Sequence, residues 1–169
     1  SLNRPEKLNA INPTMVAELK SAMDRAQLNE EIRVIVLKGE GRAFCAGLDL
    51  QTRIGKNLEN DEEQEALKTE LRECFDMIMR LWDSPKPTVA AVHTYCIGAG
   101  MEMALACDIT IAAHECRFGS PEVLFGSGVV AMLLPHIVGP KRAKEILLTG
   151  NDRITSEQAA AWGMINRAV

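Results

Sequence analysis

Twice in this chain a short apolar run breaks at glycines and leads into a helical stretch, once around residues 34–50 and again around 88–107. That repeat constrains the fold more than any other feature. The run Val34-Ile35-Val36-Leu37 lacks the apolar–polar alternation of a half-exposed strand and reads as a strand buried on both faces. Strands of this kind alternating with helices define an α/β fold. Two equivalent glycine turns can also each aim a backbone N–H at one point.

The remaining elements follow from local signals. Asn12 before Pro13 is an N-cap with proline at the first helical position, and Val16, Leu19 and Met23 recur at helical spacing through Gln27. Residues 51–61 read as a polar loop. Glu62 to Trp82 is the strongest helix, with Leu67, Leu71, Phe75, Ile78 and Trp82 along one face, acids early and Arg80 late. Thr88 to His93 reads as a second buried strand, running through Gly98-Ala99-Gly100 into a short helix, Met101 to Cys107. Asp108 to Ala112 and Arg117 to Gly119 read as further strands, and Pro140 to Thr149 as a helix closed by Gly150. Thr155 and Gln158 form a capping box for a helix ending at Gly163. Asn166 to Val169 reads as a strand cut short, so the chain is expected to be an excerpt of a longer protein.

A length of 169 residues suits one domain with a real core. The net charge of −4 and the 4% aromatic content disfavour nucleic acid as a partner, because duplex binding needs a basic face and single strands need rings to stack on. No apolar stretch reaches the roughly 18 residues of a membrane span. The five cysteines (Cys45, Cys74, Cys96, Cys107, Cys116) form no CxxC pair and read as small buried hydrophobes, which fits a reducing, intracellular compartment.

Several chemistries are disfavoured by spacing. A dinucleotide fingerprint fails because Met103 stands at the third glycine of Gly98-Ala99-Gly100, and neither a P-loop nor H-E-x-x-H occurs. His93, His114 and His136 have no evident nucleophile arranged with them, and Phe44-Cys45-Ala46 has no activating base nearby. What survives is the pair of glycine turns and two carboxylates on apolar segments. Glu102 stands in the first turn of the helix after Gly100, where an early acid also complements the helix dipole, and Glu122 follows Pro121, where a plain loop acid is the simpler reading.

Four stretches taken together resemble the enoyl-CoA hydratase/isomerase family, the crotonase superfamily. They are Asn3-Arg4-Pro5-Glu6-Lys7-Leu8-Asn9-Ala10, Arg42-Ala43-Phe44-Cys45-Ala46-Gly47-Leu48-Asp49-Leu50, Ile97 to Glu102 continuing through Ala106-Cys107-Asp108, and Phe118-Gly119-Ser120-Pro121-Glu122. The resemblance implies a crotonase-like spiral of ββα repeats, with residues 1–169 forming the acyl-CoA-binding catalytic core and the family's C-terminal helical segment missing. It implies a trimer or a dimer of trimers, and no metal or redox cofactor, coenzyme A being part of the substrate. It assigns the thioester oxygen to the backbone N–H groups of Ala46 and Ala99. Lys7, Leu8, Ala10, Ala43, Gly47, Leu48, Asp49 and Leu50 fall in or beside its CoA-binding stretch. The segment Phe125 to Leu134 departs from the longer glycine-rich pattern of the hydratases this chain resembles, in the region that lines the acyl pocket.

The leading expectation is hydration of a 2-enoyl-CoA, with Glu122 as proton donor to the α-carbon and Glu102 as the group that holds and activates water. The two carboxylates are expected to face one apolar pocket, with desolvation and mutual repulsion raising at least one pKa. The alternatives are a double-bond isomerase of the same superfamily and a non-catalytic acyl-CoA-binding relative.

Overall fold

The computed structural model describes residues 1–50, 60–126 and 131–169. Helix α1 (Pro13–Leu28) starts where the sequence predicts, with the Asn12 side chain accepting the Met15 N–H at 2.9 Å. Helix α2 (Asp61–Trp82) is capped by Asn60, which accepts the Glu63 N–H at 2.7 Å, and Asp61, Glu62 and Glu63 sit at the positive end of its dipole. The predicted polar loop falls almost wholly on residues 51–59, outside the described residues.

Strands β1 (Ile35–Lys38), β2 (Thr88–Val92), β4 (Ile109–Ala112) and β7 (Arg167–Ala168) make a parallel sheet in the order β1-β2-β4-β7. A second sheet is ordered β3-β5-β6, from β3 (Tyr95–Ile97), β5 (Arg117–Gly119) and β6 (Ile154–Thr155). The chain leaves β2 for β3 across only two residues, and Thr94, at φ 54°, takes the left-handed conformation that makes so short a change of sheet possible. Between β3 and β4 runs helix α3 (Ala99–Ala106), buried at every position. Helices α4 (Leu134–Val138), α5 (Pro140–Thr149) and α6 (Ser156–Ala161) follow, and the Thr155–Gln158 capping box is present in full.

Two expectations need correction. The first strand is not buried on both faces: Val34 and Val36 are 47% and 54% exposed. β1 lies at the edge of its sheet, and Val36 shares its row with Val89 and with Ile109, which is 41% exposed, so this face is uncovered by the described residues. The α2 stripe is also rotated. Its buried positions are Cys74, Met77, Ile78 and Leu81, whereas Leu67, Leu71 and Phe75 are half-buried and Trp82 is 48% exposed. Only the second half of α2 is packed deeply, so the widest apolar stripe in the sequence is not the one the core takes.

The two glycine turns meet as the internal repeat suggested. Cys45 pairs with Cys96: its N–H donates to the Tyr95 carbonyl at 2.9 Å, and its own carbonyl accepts the Ile97 N–H at 3.0 Å. A Cβ on Gly100 would stand 2.7 Å from both the Cβ and the carbonyl oxygen of Cys45, so α3 lies directly on the first turn because Gly100 has no side chain. Around this seam the core includes Phe44, Phe118, Met77, Ile78, Met101 and Met103.

Candidate active site

Glu102 sits in the first turn of α3 and is 2% exposed. Its Oε2 accepts the Leu133 N–H at 3.2 Å, while Oε1 is buried with no hydrogen-bond partner among the described residues. Burial pushes its carboxyl up to about 7; backbone N–H groups of Leu133, Met132 and Leu134 oppose the rise, and the negative charge of Glu122 adds to it. The predicted elevation is therefore present, and it falls on Glu102.

Glu122 opens the 3-10 turn Glu122–Phe125. Its Oε2 accepts the Ser120 hydroxyl at 2.6 Å. Its Oε1 lies over Gly98, so closely that a Cβ on that glycine would overlap it. Gly98 is the N-cap of α3, with φ 54° and ψ −124°. The two glutamates, twenty positions apart, thus converge on the first turn of one buried helix.

The backbone donors differ from expectation at one position. Ala99 is the first residue of α3, and its N–H has no partner among the described residues. The Ala46 N–H, by contrast, donates to the Leu8 carbonyl at 3.0 Å and cannot also serve a substrate. Asp49 N–H donates to Ile11 at 2.8 Å, and Gly47 N–H reaches the Cys45 sulfur at 3.4 Å. The remaining donor of the turn is Leu48, whose N–H has no partner among the described residues. In a regular strand Ala46 and Leu48 would face the same neighbour. Here Ala46 and Asp49 do so, three residues apart, because Gly47 at φ 90° inserts an extra residue like a bulge and turns Leu48 the other way. A Cβ on Gly47 would lie 3.6 Å from the Ala99 nitrogen, so the turn carrying Leu48 abuts the start of α3. Gly47 was the sequence signal for this phase change.

The expected CoA-contact residues divide into two groups. Lys7 is exposed, Leu8, Ala10, Ala46 and Leu48 are half-buried, and Leu50 is 39% exposed. Ala43, Gly47 and Asp49 are buried and serve the loop itself. The Ala43 carbonyl accepts the Asn9 side-chain amide at 2.8 Å, and Asp49 pairs with Arg4 at 3.1 Å. Arg4 also donates to the Ala10 carbonyl at 2.6 Å, so the 4–11 and 43–49 segments are laced into one unit. Asn9 and Arg4, both in the first of the four family-like stretches, hold this lacing together.

Other candidates resolve as structural. All five cysteines are buried, and burial pushes the Cys45 thiol up to about 12, leaving it inert at neutral pH. His93 contacts the Gly41 carbonyl at 3.0 Å and His114 pairs with Glu157 at 3.0 Å, both away from the glutamates. A cavity of about 800 Å³ lies between residues 1–4 and α1 and is lined by none of the expected site residues. Of the departing segment Phe125–Leu134, residues 127–130 lie outside the described residues; its far end supplies the Leu133 N–H to Glu102.

This α/β arrangement of paired turns is shared by a known group of proteins. Residues 1–169 match the family described as Enoyl-CoA hydratase/isomerase, and the chain belongs to that family. Its fold superposes on the crystal structure of an enoyl-CoA hydratase/isomerase from Xanthobacter autotrophicus Py2 with a TM-score of 0.92 and 45% identity, covering 99% of this chain and 61% of that one. It is 36% identical to mevalonyl-coenzyme A hydratase sidH of Aspergillus fumigatus, over all of this chain and 61% of the relative. It is also 36% identical to 1,2-epoxyphenylacetyl-CoA isomerase of Escherichia coli, over all of this chain and 64% of the relative. The chain thus spans less than two thirds of the length of these relatives.

Proposed function

We propose that this chain is the catalytic core of an enoyl-CoA hydratase, adding water across the 2,3 double bond of a 2-enoyl-CoA. The observation that carries the reading is Glu102: a buried carboxyl with one oxygen held by Leu133 and the other unpartnered among the described residues, facing the same helix turn as Glu122. A carboxyl titrating near 7 is matched to proton transfer at neutral pH, where a base must be ionised often enough yet still hold a proton once it takes one.

The chemistry divides as follows. The thioester oxygen accepts the N–H groups of Leu48 and Ala99, which stabilise the enolate-like charge that develops there; each such donor is typically worth about 3 kcal/mol. Ala99 adds the positive end of the α3 dipole. Water sits on the free Oε1 of Glu102, gives it a proton, and its oxygen attacks the β-carbon. Glu122 delivers its proton to the α-carbon, so one H and one OH are added. Proton transfer from Glu102 back to Glu122 resets the pair. Leu8, Ala10 and Leu50, with Lys7, lie beside the turn and would contact the CoA moiety.

Relatives named as hydratases and one named as an isomerase match at equal identity, and the isomerase reading uses the same donors. Incubating the intact protein with 2-enoyl-CoA thioesters of several chain lengths in water labelled with heavy oxygen separates them. Loss of the conjugated thioester with one labelled oxygen in the product is expected. No turnover at any chain length, or a rearranged product without label, contradicts the proposal.

A further inference from the structure

The Ser120 hydroxyl is not part of the reaction scheme above, yet it hydrogen-bonds the Glu122 side chain directly. The residue is 2% exposed, and its Oγ donates to Glu122 Oε2 at 2.6 Å. Its backbone is braced from two sides. The Ser120 N–H donates to the Asn151 carbonyl at 3.0 Å, and the neighbouring Gly119 carbonyl accepts the Gly98 N–H at 2.8 Å. Gly119 itself lies flat against the backbone of Asn151 and Asp152, with no room for a side chain. The hydroxyl is therefore a fixed point, set by β5 and the 151–152 segment rather than by the mobile end of a long side chain.

We infer that Ser120 is a positioning residue for Glu122, acting through its hydroxyl to hold Oε2 so that Oε1 stays over Gly98 at the start of α3. A carboxylate on a two-carbon stem swings freely unless one oxygen is held, and here Gly98 limits it on one side only by contact. With Oε2 fixed on Ser120, Oε1 is the oxygen presented beside the Ala99 N–H, where the α-carbon of a thioester held by that donor would lie. A shift of about 1 Å in such an arrangement costs about 100-fold in rate without weakening binding.

The inference rests on the proton-transfer role given to Glu122 above, and its test is chosen to separate the two. The measurement is exchange of the α-hydrogens of a saturated acyl-CoA with deuterium from D2O, followed by NMR on the intact protein. This exchange needs the oxygen-binding donors and Glu122 but no attack by water. Ser120→Ala is expected to slow exchange and hydration together by 10- to 100-fold, by the same geometric reasoning, with KM within threefold and the thermal midpoint close to the parent's. Ser120→Cys fills the space of the hydroxyl with a weak donor and should lose nearly as much. Ser120→Thr keeps an oxygen donor and should recover most of the rate. A folded Ser120→Ala or Ser120→Cys protein that exchanges within twofold of the parent overturns the role of Ser120 alone. A parent that exchanges no α-hydrogen overturns the reading of Glu122, and this inference with it.

Discussion

Glu102 stores a cost that the fold carries for the sake of the site. Its carboxyl titrates near 7 in the folded protein against an ordinary 4.5. The folded state therefore holds the proton more tightly than the unfolded chain. Stability from this group is fully present below about 4.5 and is lost as pH climbs through about 7. Above that range, burying the charge costs about 3 kcal/mol, since each pKa unit corresponds to about 1.4 kcal/mol. Glu102→Gln keeps the shape and an oxygen for the Leu133 N–H but never ionises. It should be more stable than the parent by about 3 kcal/mol at pH 8, with the gap falling to about 1 kcal/mol near pH 5. Urea unfolding at the two pH values checks this, and a gap independent of pH would contradict it. Under the proposed mechanism the variant should also lose turnover, an exchange of activity for stability.

At the scale of elements, the site depends on α3 lying against the first glycine turn. Gly100 makes that contact possible, with Cys45 2.7 Å from where a Cβ would be. Gly100→Ala forces a methyl onto the Cys45 backbone, which overpacks a fully buried seam and should cost about 1–3 kcal/mol. It should also lower turnover through displacement of Leu48 relative to Ala99, whereas Ala104→Gly, one turn further along α3, should destabilise without that disproportionate loss. Thermal midpoints and kcat for the two variants test the difference.

Elements with local signals were legible in the sequence. The caps at Asn12 and Thr155, and the glycine at φ 64° after Thr149, were readable because each is a contact within four residues. The short strand Tyr95–Ile97 was not, since its pairing is to β5 and to Cys45, far away in sequence. The same limit hid the bond from the Ala46 N–H to the Leu8 carbonyl. Which N–H of a turn is free depends on the partner strand, here the Leu8–Ile11 segment, and spacing alone does not reveal that partner. Glu102 was conspicuous in the sequence as an acid on an otherwise apolar helix.

At the scale of the whole molecule, two sheets meet at a seam, and the candidate site is built from what crosses it. The first turn comes from the end of the β1 segment, α3 from the end of β3, and Glu122 from the end of β5. Each piece is anchored by backbone pairing, so single side-chain changes should alter the chemistry without dismantling the frame. No helix among the described residues is long and apolar enough to cross a membrane. The sharpest test of the account is therefore a comparison of chemistry with binding in one variant. Glu122→Gln in the intact protein should lose at least about 100-fold in kcat for hydration, the range a general acid supplies. Its dissociation constant for a saturated acyl-CoA should stay within threefold of the parent's, because Leu48, Ala99 and the residues beside the CoA moiety are untouched. A Glu122→Gln protein with full turnover, or one whose lost activity is matched by lost acyl-CoA binding, would contradict the assignment of Glu122 as the proton donor.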